Sequence, residues 1–191
     1  MKALILNGFD NEEVLEYGMV EDLEAVLRAV GWDAETIVLR ELDIAGCLGC
    51  FGCWIKTPGK CVIDDPGREM AERFIGADLV VFLTPVTFGG YSYHLKKALD
   101  RFIPLISPFF TKVDGETHHA KRYESYPRLV GMGVLDLHDE SGERIFRGLV
   151  ARNAINMYSP AFSSGIILRT EGRERWTEVV TKTLDDMGVR P

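Results

Sequence analysis

No apolar run near the start of this sequence is long enough to cross a membrane or to form the core of a secretory leader. Residues 3–6 are interrupted at once by Asn7-Gly8 and then by Asp10, Glu12 and Glu13, whereas a spanning helix needs about 20 apolar residues. The expectation is a cytoplasmic protein. Positive charge is also scarce: 22 Lys and Arg stand against 29 Asp and Glu, a net charge of −7. That deficit removes the basic face that nucleic acid or an anionic membrane surface would require, so the expected partners are small molecules. Repeats and low-complexity tracts are lacking, and 46% hydrophobic with 27% charged residues is ordinary globular composition. A chain of 191 residues fits one domain spanning 1–191. The G-x-G-x-x-G fingerprint is missing, which argues against a dedicated dinucleotide-binding fold. Nor does any residue stand out as a general acid or base. Cysteine is confined to four positions, all between 47 and 61. Such crowding cannot staple a domain together, but it suits a local metal or redox site.

Along the chain, short apolar runs alternate with helical periodicity. Residues 2–6 read as a strand buried on both faces, ending in Asn7-Gly8. Leu15, Met19, Leu23, Val26, Leu27 and Val30 then recur at spacings of three and four, the period of a helix ending near Gly31. Further strands are expected at 36–39, 79–83, 129–135 and 165–168. Helices are expected from the Asp65-Pro66 cap to just before Gly76, over 91–103, over 143–156 and over 174–187. Five strands alternating with helices predict a doubly wound α/β fold. Its parallel sheet has order 2-1-3-4-5 with helices on both faces, and a ligand site lies at the carboxyl ends of the central strands. Residues 104–127 read as a long loop. Its Phe109, Phe110, Tyr123 and Tyr126 suit an ordered contact with a second copy of the chain, and hence a homo-oligomer. His118-His119 within it read as solvated surface residues, and Asp100-Arg101 as a structural charged pair.

The cysteine loop, residues 41–65, carries a glycine before each of Cys47, Cys50 and Cys53, with Cys61 following Pro58-Gly59. The spacing is C-x2-C-x2-C-x7-C. Glycine lets a short loop wrap a small inorganic core, and thiolates are the ligands of iron–sulfur clusters. Four thiolates match the four irons of one [4Fe-4S] cubane, and Phe51 and Trp54 are placed to shield it. Two other readings stay open: a structural zinc, which usually pairs two C-x2-C knuckles across a longer gap, and free thiols in a tight loop.

Two stretches resemble the flavodoxin-fold NADPH-dependent FMN reductases and, in the cysteine loop, their iron-sulfur flavoprotein branch. One runs from Gly49-Cys50-Phe51-Gly52-Cys53-Trp54 through Thr57-Pro58-Gly59 to Cys61 and Asp64-Asp65. The other runs from Thr84-Pro85-Val86-Thr87-Phe88-Gly89-Gly90-Tyr91-Ser92 into Leu95-Lys96 and Leu99-Asp100-Arg101. The resemblance implies a flavodoxin-like fold and an FMN cofactor. Its ring would be cradled by Pro85, Val86, Thr87, Phe88, Gly89, Gly90 and Ser92, with Gly8 and Asn11 in the first loop beside it. The first loop departs from the family's phosphate-binding pattern: Asp10, Glu12 and Glu13 crowd the helix start where a phosphate would sit, leaving the ring loop to supply most of the affinity. The activity implied is transfer of electrons from NAD(P)H through FMN, and through a cluster if one is present, to an acceptor. A cluster-free flavin or quinone reductase is the second reading. A non-enzymatic electron carrier or thiol redox sensor is the third.

Overall fold

A computed structural model of the chain describes residues 1–10 and 18–189. Strands β1 (Lys2–Asn7), β2 (Asp33–Val38) and β3 (Leu79–Pro85) are joined through helices α1 (Met19–Ala29), α2 (Gly52–Ile55) and α3 (Pro66–Ile75). After β3 come α4 (Tyr93–Asp100), β4 (Ile106–Val113), β5 (Glu116–Lys121), β6 (Arg128–Leu135), α5 (Glu140–Asn156), β7 (Phe162–Leu168) and α6 (Arg173–Asp185). The parallel sheet has order β2-β1-β3-β6-β7. Setting β4 and β5 aside, this is the predicted 2-1-3-4-5 order of a flavodoxin-like sheet.

The three central strands explain why the order is legible. β1, β3 and β6 are near-continuous apolar runs whose side chains are buried on both faces, as a doubly covered parallel sheet requires. On one face Ile5, Val81 and Val130 pack against Leu23 and Leu27 of α1 and Trp176 and Val180 of α6. On the other, Leu4, Val80 and Leu129 pack against Met70 and Phe74 of α3, Leu95 and Ala98 of α4, and Phe146 and Val150 of α5. Helix α5 lies close to β6 because Gly131 and Gly133 leave room for it. A Cβ on Gly131 would run into Val150, and one on Gly133 would meet Phe146 at 3.0 Å and Val86 at 2.7 Å.

Several boundaries differ from expectation, among them β3, which runs on to Pro85, and β7, which begins at Phe162 rather than at 165. β2 begins three residues earlier than predicted, because Asp33 and Glu35 of this edge strand pair with Lys2 and Leu4 while pointing their side chains outward. α4 is shorter than the predicted 91–103. Ser92 caps it, accepting from the Leu95 amide at 3.3 Å, and Pro104 sits in a separate short 3-10 turn, Ile103–Leu105. α5 starts at Glu140, with Asp139 accepting from the Gly142 amide at 3.0 Å.

The largest departure is the expected long loop. Residues 106–121 form an antiparallel hairpin, turned at Asp114 (φ 50°) and Gly115 (φ 86°), outside the main sheet. Two successive positive φ values define the type I′ turn whose twist suits a two-residue hairpin. The hairpin is fastened to the end of α5 and to Tyr158. Arg152 bridges to Glu116 at 2.6 Å, His118 lies 3.0 Å from both Asn156 Oδ1 and Glu116 Oε2, and the Tyr158 hydroxyl donates to the His119 carbonyl at 2.5 Å. His118 is therefore buried and bonded, not solvated. Among the described residues no helix is long and apolar enough to cross a membrane.

Candidate functional site

At the carboxyl ends of β1 and β3 the two loops predicted to hold the flavin ring meet. The Gly8 amide donates to the Leu83 carbonyl at 2.8 Å, and the Ser92 hydroxyl donates to the Gly8 carbonyl. A side chain on Gly8 would strike Ser92 Oγ at 2.8 Å and Leu95 Cβ at 2.9 Å. Gly8 and Ser92 thus knit the first loop to the start of α4. Ser92 is buried, and its hydroxyl is committed to the cap and to Gly8. Asn11, Glu12 and Glu13 lie outside the described residues. Asp10 is exposed, 3.4 Å from His94 Nε2.

The ring loop itself is a tight turn. Val86 donates to the Val134 carbonyl at 2.8 Å, extending the β3–β6 pairing past Pro85. Thr87 and Gly90 then exchange backbone hydrogen bonds of 3.1 and 2.9 Å across Phe88 (φ 52°) and Gly89 (φ 76°). A phenylalanine in the left-handed region is costly, and here it leaves the Phe88 ring 98% exposed. Pro85, Val86, Thr87, Phe88, Gly89 and Gly90 therefore sit together, with Gly8 and Ser92 adjoining them.

The cysteines form a second group. After β2 the chain passes through a 3-10 turn, Leu39–Glu41, into the cysteine loop, where α2 carries Cys53 and Trp54. Gly49 takes a φ of +62°, and a Cβ on Gly52 would meet Val62 at 2.5 Å, whereas Gly46 lies against nothing. Two of the three glycines that precede cysteines are thus required by the loop's path. Cys47, Cys50, Cys53 and Cys61 all line one cavity of about 320 Å³, shared with Leu48, Phe51, Ile63, Asp100, Arg101 and Ile103. Cys47 and Cys50 are exposed, Cys61 is half-buried and Cys53 is buried. Burial, with Cys61 next in weight, pushes the Cys53 thiol up. Among the described residues no three or more His, Cys, Asp or Glu side chains converge closely enough to hold a single metal ion.

The wall of this cavity is fixed by an ion pair that links three parts of the chain. Asp65, the N-cap of α3, accepts from the amides of Gly67 (3.0 Å) and Ala45 (2.9 Å) and from both terminal nitrogens of Arg101 (2.6 and 2.8 Å). Arg101 also donates to the Ala45 carbonyl at 2.7 Å. Burial opposes the charge on Asp65, but Arg101 and the two amides hold its carboxyl below the usual range. Burial likewise opposes the charge on Arg101, which Asp65 and the neighbouring Cys61 sulfur more than offset. The structural reading of Arg101 stands, although its partner is Asp65. Asp100 pairs with Lys96 at 2.5 Å. What the sequence reading missed is that Arg101 lines the same cavity as the four thiols and lies beside that of Cys61.

A row of rings joins the cysteine loop to the hairpin. Phe51 stacks on Trp54 (centroids 5.0 Å apart), Trp54 lies 4.8 Å from His119, and His119 lies 4.7 Å from Phe110. The Trp54 indole N–H donates to the carbonyls of Ile106 (3.0 Å) and Ile103 (3.2 Å). Leu48, Ile55, Phe109 and Phe110 stand largely exposed. Helix α4 connects the two candidate sites, with Ser92 at its start and Arg101 just past its end. Eight helical residues span about 12 Å.

With this geometry in hand, the model of the NADPH-dependent FMN reductase family matches residues 1–119, which is 119 of the 191 residues. The chain belongs to that family. This FMN reductase relative is 32% identical over 105 residues to an iron-sulfur flavoprotein of Methanocaldococcus jannaschii, covering 55% of this chain and 53% of that protein. It is 31% identical over 101 residues to an iron-sulfur flavoprotein of Archaeoglobus fulgidus, covering 53% and 48%. The chain therefore spans about half the length of these curated relatives. Among solved structures, an NAD(P)H:quinone oxidoreductase of Methanothermobacter marburgensis superposes with a TM-score of 0.67 at 16% identity, covering 95% of this chain and 96% of that one. An FMN-dependent NADH-azoreductase of Bacillus anthracis, solved with FMN, gives 0.68 at 12% identity, covering 99% and 98%. At such identities these two structures speak for the flavodoxin-like fold.

Proposed function

We propose that this chain is an oxidoreductase that binds FMN at the ends of β1 and β3 and a [4Fe-4S] cluster in the cysteine cavity, and that it passes electrons from NAD(P)H to a separate acceptor. The observation that carries the reading is the single cavity lined by all four cysteines. A zinc ion would need four ligands about 2 Å from one point, and no such convergence exists among the described residues. A cubane is gripped differently, with each thiolate bonding a separate iron, so thiols spread around a cavity suit it. The names of the curated relatives support the same choice. When bound, flavin accepts an electron pair as hydride and the cluster carries single electrons.

The chain's own residues would do the holding. Cys47, Cys50, Cys53 and Cys61 are the cluster ligands, and Phe51 and Trp54 exclude water on one side. Residues 85–90 would face the ring, with Gly8 and Ser92 adjoining them. NAD(P)H would dock transiently on the open side of the ring, where Phe88 projects. The exposed Phe109 and Phe110 of the hairpin support a homo-oligomer in which a second copy covers them.

The deciding experiment is anaerobic purification with iron, sulfide and flavin counted per chain. About four irons and one FMN are expected, with broad visible absorption that the Cys50→Ser variant loses. Flavin with less than one iron after anaerobic reconstitution would leave the cluster-free reductase instead. No NAD(P)H oxidation with any artificial acceptor would leave the electron carrier.

A further inference from the structure

One buried charge lines the cysteine cavity. Arg101 is 1% exposed, and Asp100, the other charged residue on the wall, is exposed and held by Lys96. A guanidinium has five N–H donors. Three are engaged, two with Asp65 and one with the Ala45 carbonyl. The Nε–H is buried without a hydrogen-bond partner. Buried donors are rarely left unsatisfied, and this one belongs to a residue that lines the cavity. Among the four thiols of this cavity, that of Cys61 acts on the Arg101 side chain. Asp65 neutralises part of the guanidinium charge and fixes its plane through the two-point fork, so the two remaining N–H donors, on Nε and Nη2, cannot swing away.

We propose that Arg101 is the hydrogen-bond donor of the cysteine cavity, its Nε–H directed at the Cys61 thiolate or a sulfide of the cluster held there. This rests on the cluster reading above. Four thiolates make the cluster anionic, and each added electron makes it more so. A fixed cation and an N–H donor at its sulfurs therefore stabilise the reduced form more than the oxidised one and raise its reduction potential. Asp65 works in the opposite direction by partly cancelling that cation. The pair sets the potential as well as closing the loop.

The test compares wild-type chain with Arg101→Gln and Asp65→Asn, all reconstituted without oxygen. Iron and sulfide are counted, and the reduced-cluster paramagnetic signal is followed during a redox titration. Arg101→Gln should keep its iron and become at least tenfold harder to reduce at a fixed potential, a fall of about 59 mV for one electron. Asp65→Asn, which keeps Arg101 and can still cap α3, should shift the midpoint upward. Wild-type chain without iron overturns the cluster reading and this proposal together. Iron in wild type and Arg101→Gln with coincident midpoints overturns this proposal alone, leaving Arg101 as the structural partner of Asp65. Should Arg101→Gln fail to fold or hold iron, Asp65→Asn decides: an upward shift supports the proposal, and an unchanged or lower midpoint overturns it.

Discussion

Gly89 separates two reasons for which a glycine can be required. Its φ of +76° disfavours any side chain, and an added Cβ would lie 2.6 Å from Ile145 Cβ and 3.3 Å from the Gly142 carbonyl. The first effect costs about 1–2 kcal/mol for an ordinary L-residue. The second is overpacking against atoms that cannot swing aside, because Ile145 Cβ is fixed to the α5 backbone; that costs about 1–3 kcal/mol. Gly89→Ala should therefore lower stability by about 2–5 kcal/mol. Gly115 supplies the control, since it has a similar φ of +86° with nothing within 4 Å of its added Cβ. Gly115→Ala should show the backbone cost alone, about 1–2 kcal/mol. Gly89→Asn, which tolerates the left-handed region but still carries a Cβ, should fall between wild type and Gly89→Ala. Urea unfolding read by circular dichroism gives the three values by linear extrapolation. Should Gly89→Ala prove no worse than Gly115→Ala, the close approach to α5 is not what demands glycine. Flavin binding needs the same control: a Gly89→Val variant that binds FMN weakly must first be shown, without flavin, to be as folded as wild type. Weak binding would otherwise report the turn rather than the ring.

Trp54→Ala removes one bifurcated hydrogen bond and two ring contacts. A loss of about 2–4 kcal/mol is expected, with faster proteolysis of the cysteine loop; unchanged cleavage would mean the ring row does not tie that loop to the hairpin. Glu116 is held down to about 2, first by Arg152 and then by His118. Because this lies below its ordinary 4.5, its contribution to holding the hairpin is complete above 4.5 and lost as pH falls through about 2. Hydrogen exchange at the hairpin amides should follow that window in wild type and lose it in Arg152→Gln; a wild-type transition centred near 4.5 would refute the pairing. If the acidic first loop opposes the phosphate, FMN should bind no more than about tenfold tighter than riboflavin. Fluorescence quenching by the two flavins checks this, and a hundredfold preference for FMN would refute it.

The parallel sheet was legible because β1, β3 and β6 are buried on both faces and so read as unbroken apolar runs. The first half of β2 was not, since Asp33 and Glu35 on an edge strand resemble a polar loop. The hairpin had a signal that went unused: Asp114-Gly115 is a strong type I′ pair. Its strands mislead because positions 109–112 are all exposed, without the alternation a half-buried strand displays. The common cavity of the four cysteines followed from their spacing. The place of Arg101 on its wall did not, because Asp65 lies 36 residues away and only the packing of α3 against the end of α4 brings the two together.

The fit of α5 over Gly131 and Gly133 limits how this sequence can drift. A larger residue at 131 is admissible only where Val150 shrinks, and one at 133 only where Phe146 or Val86 does. Interiors packed to crystal-like density exchange volume rather than absorb it. A library randomised at 131, 133, 86, 146 and 150 and selected for folded protein should therefore return compensating sets. Substitutions at the two glycines should survive only in company.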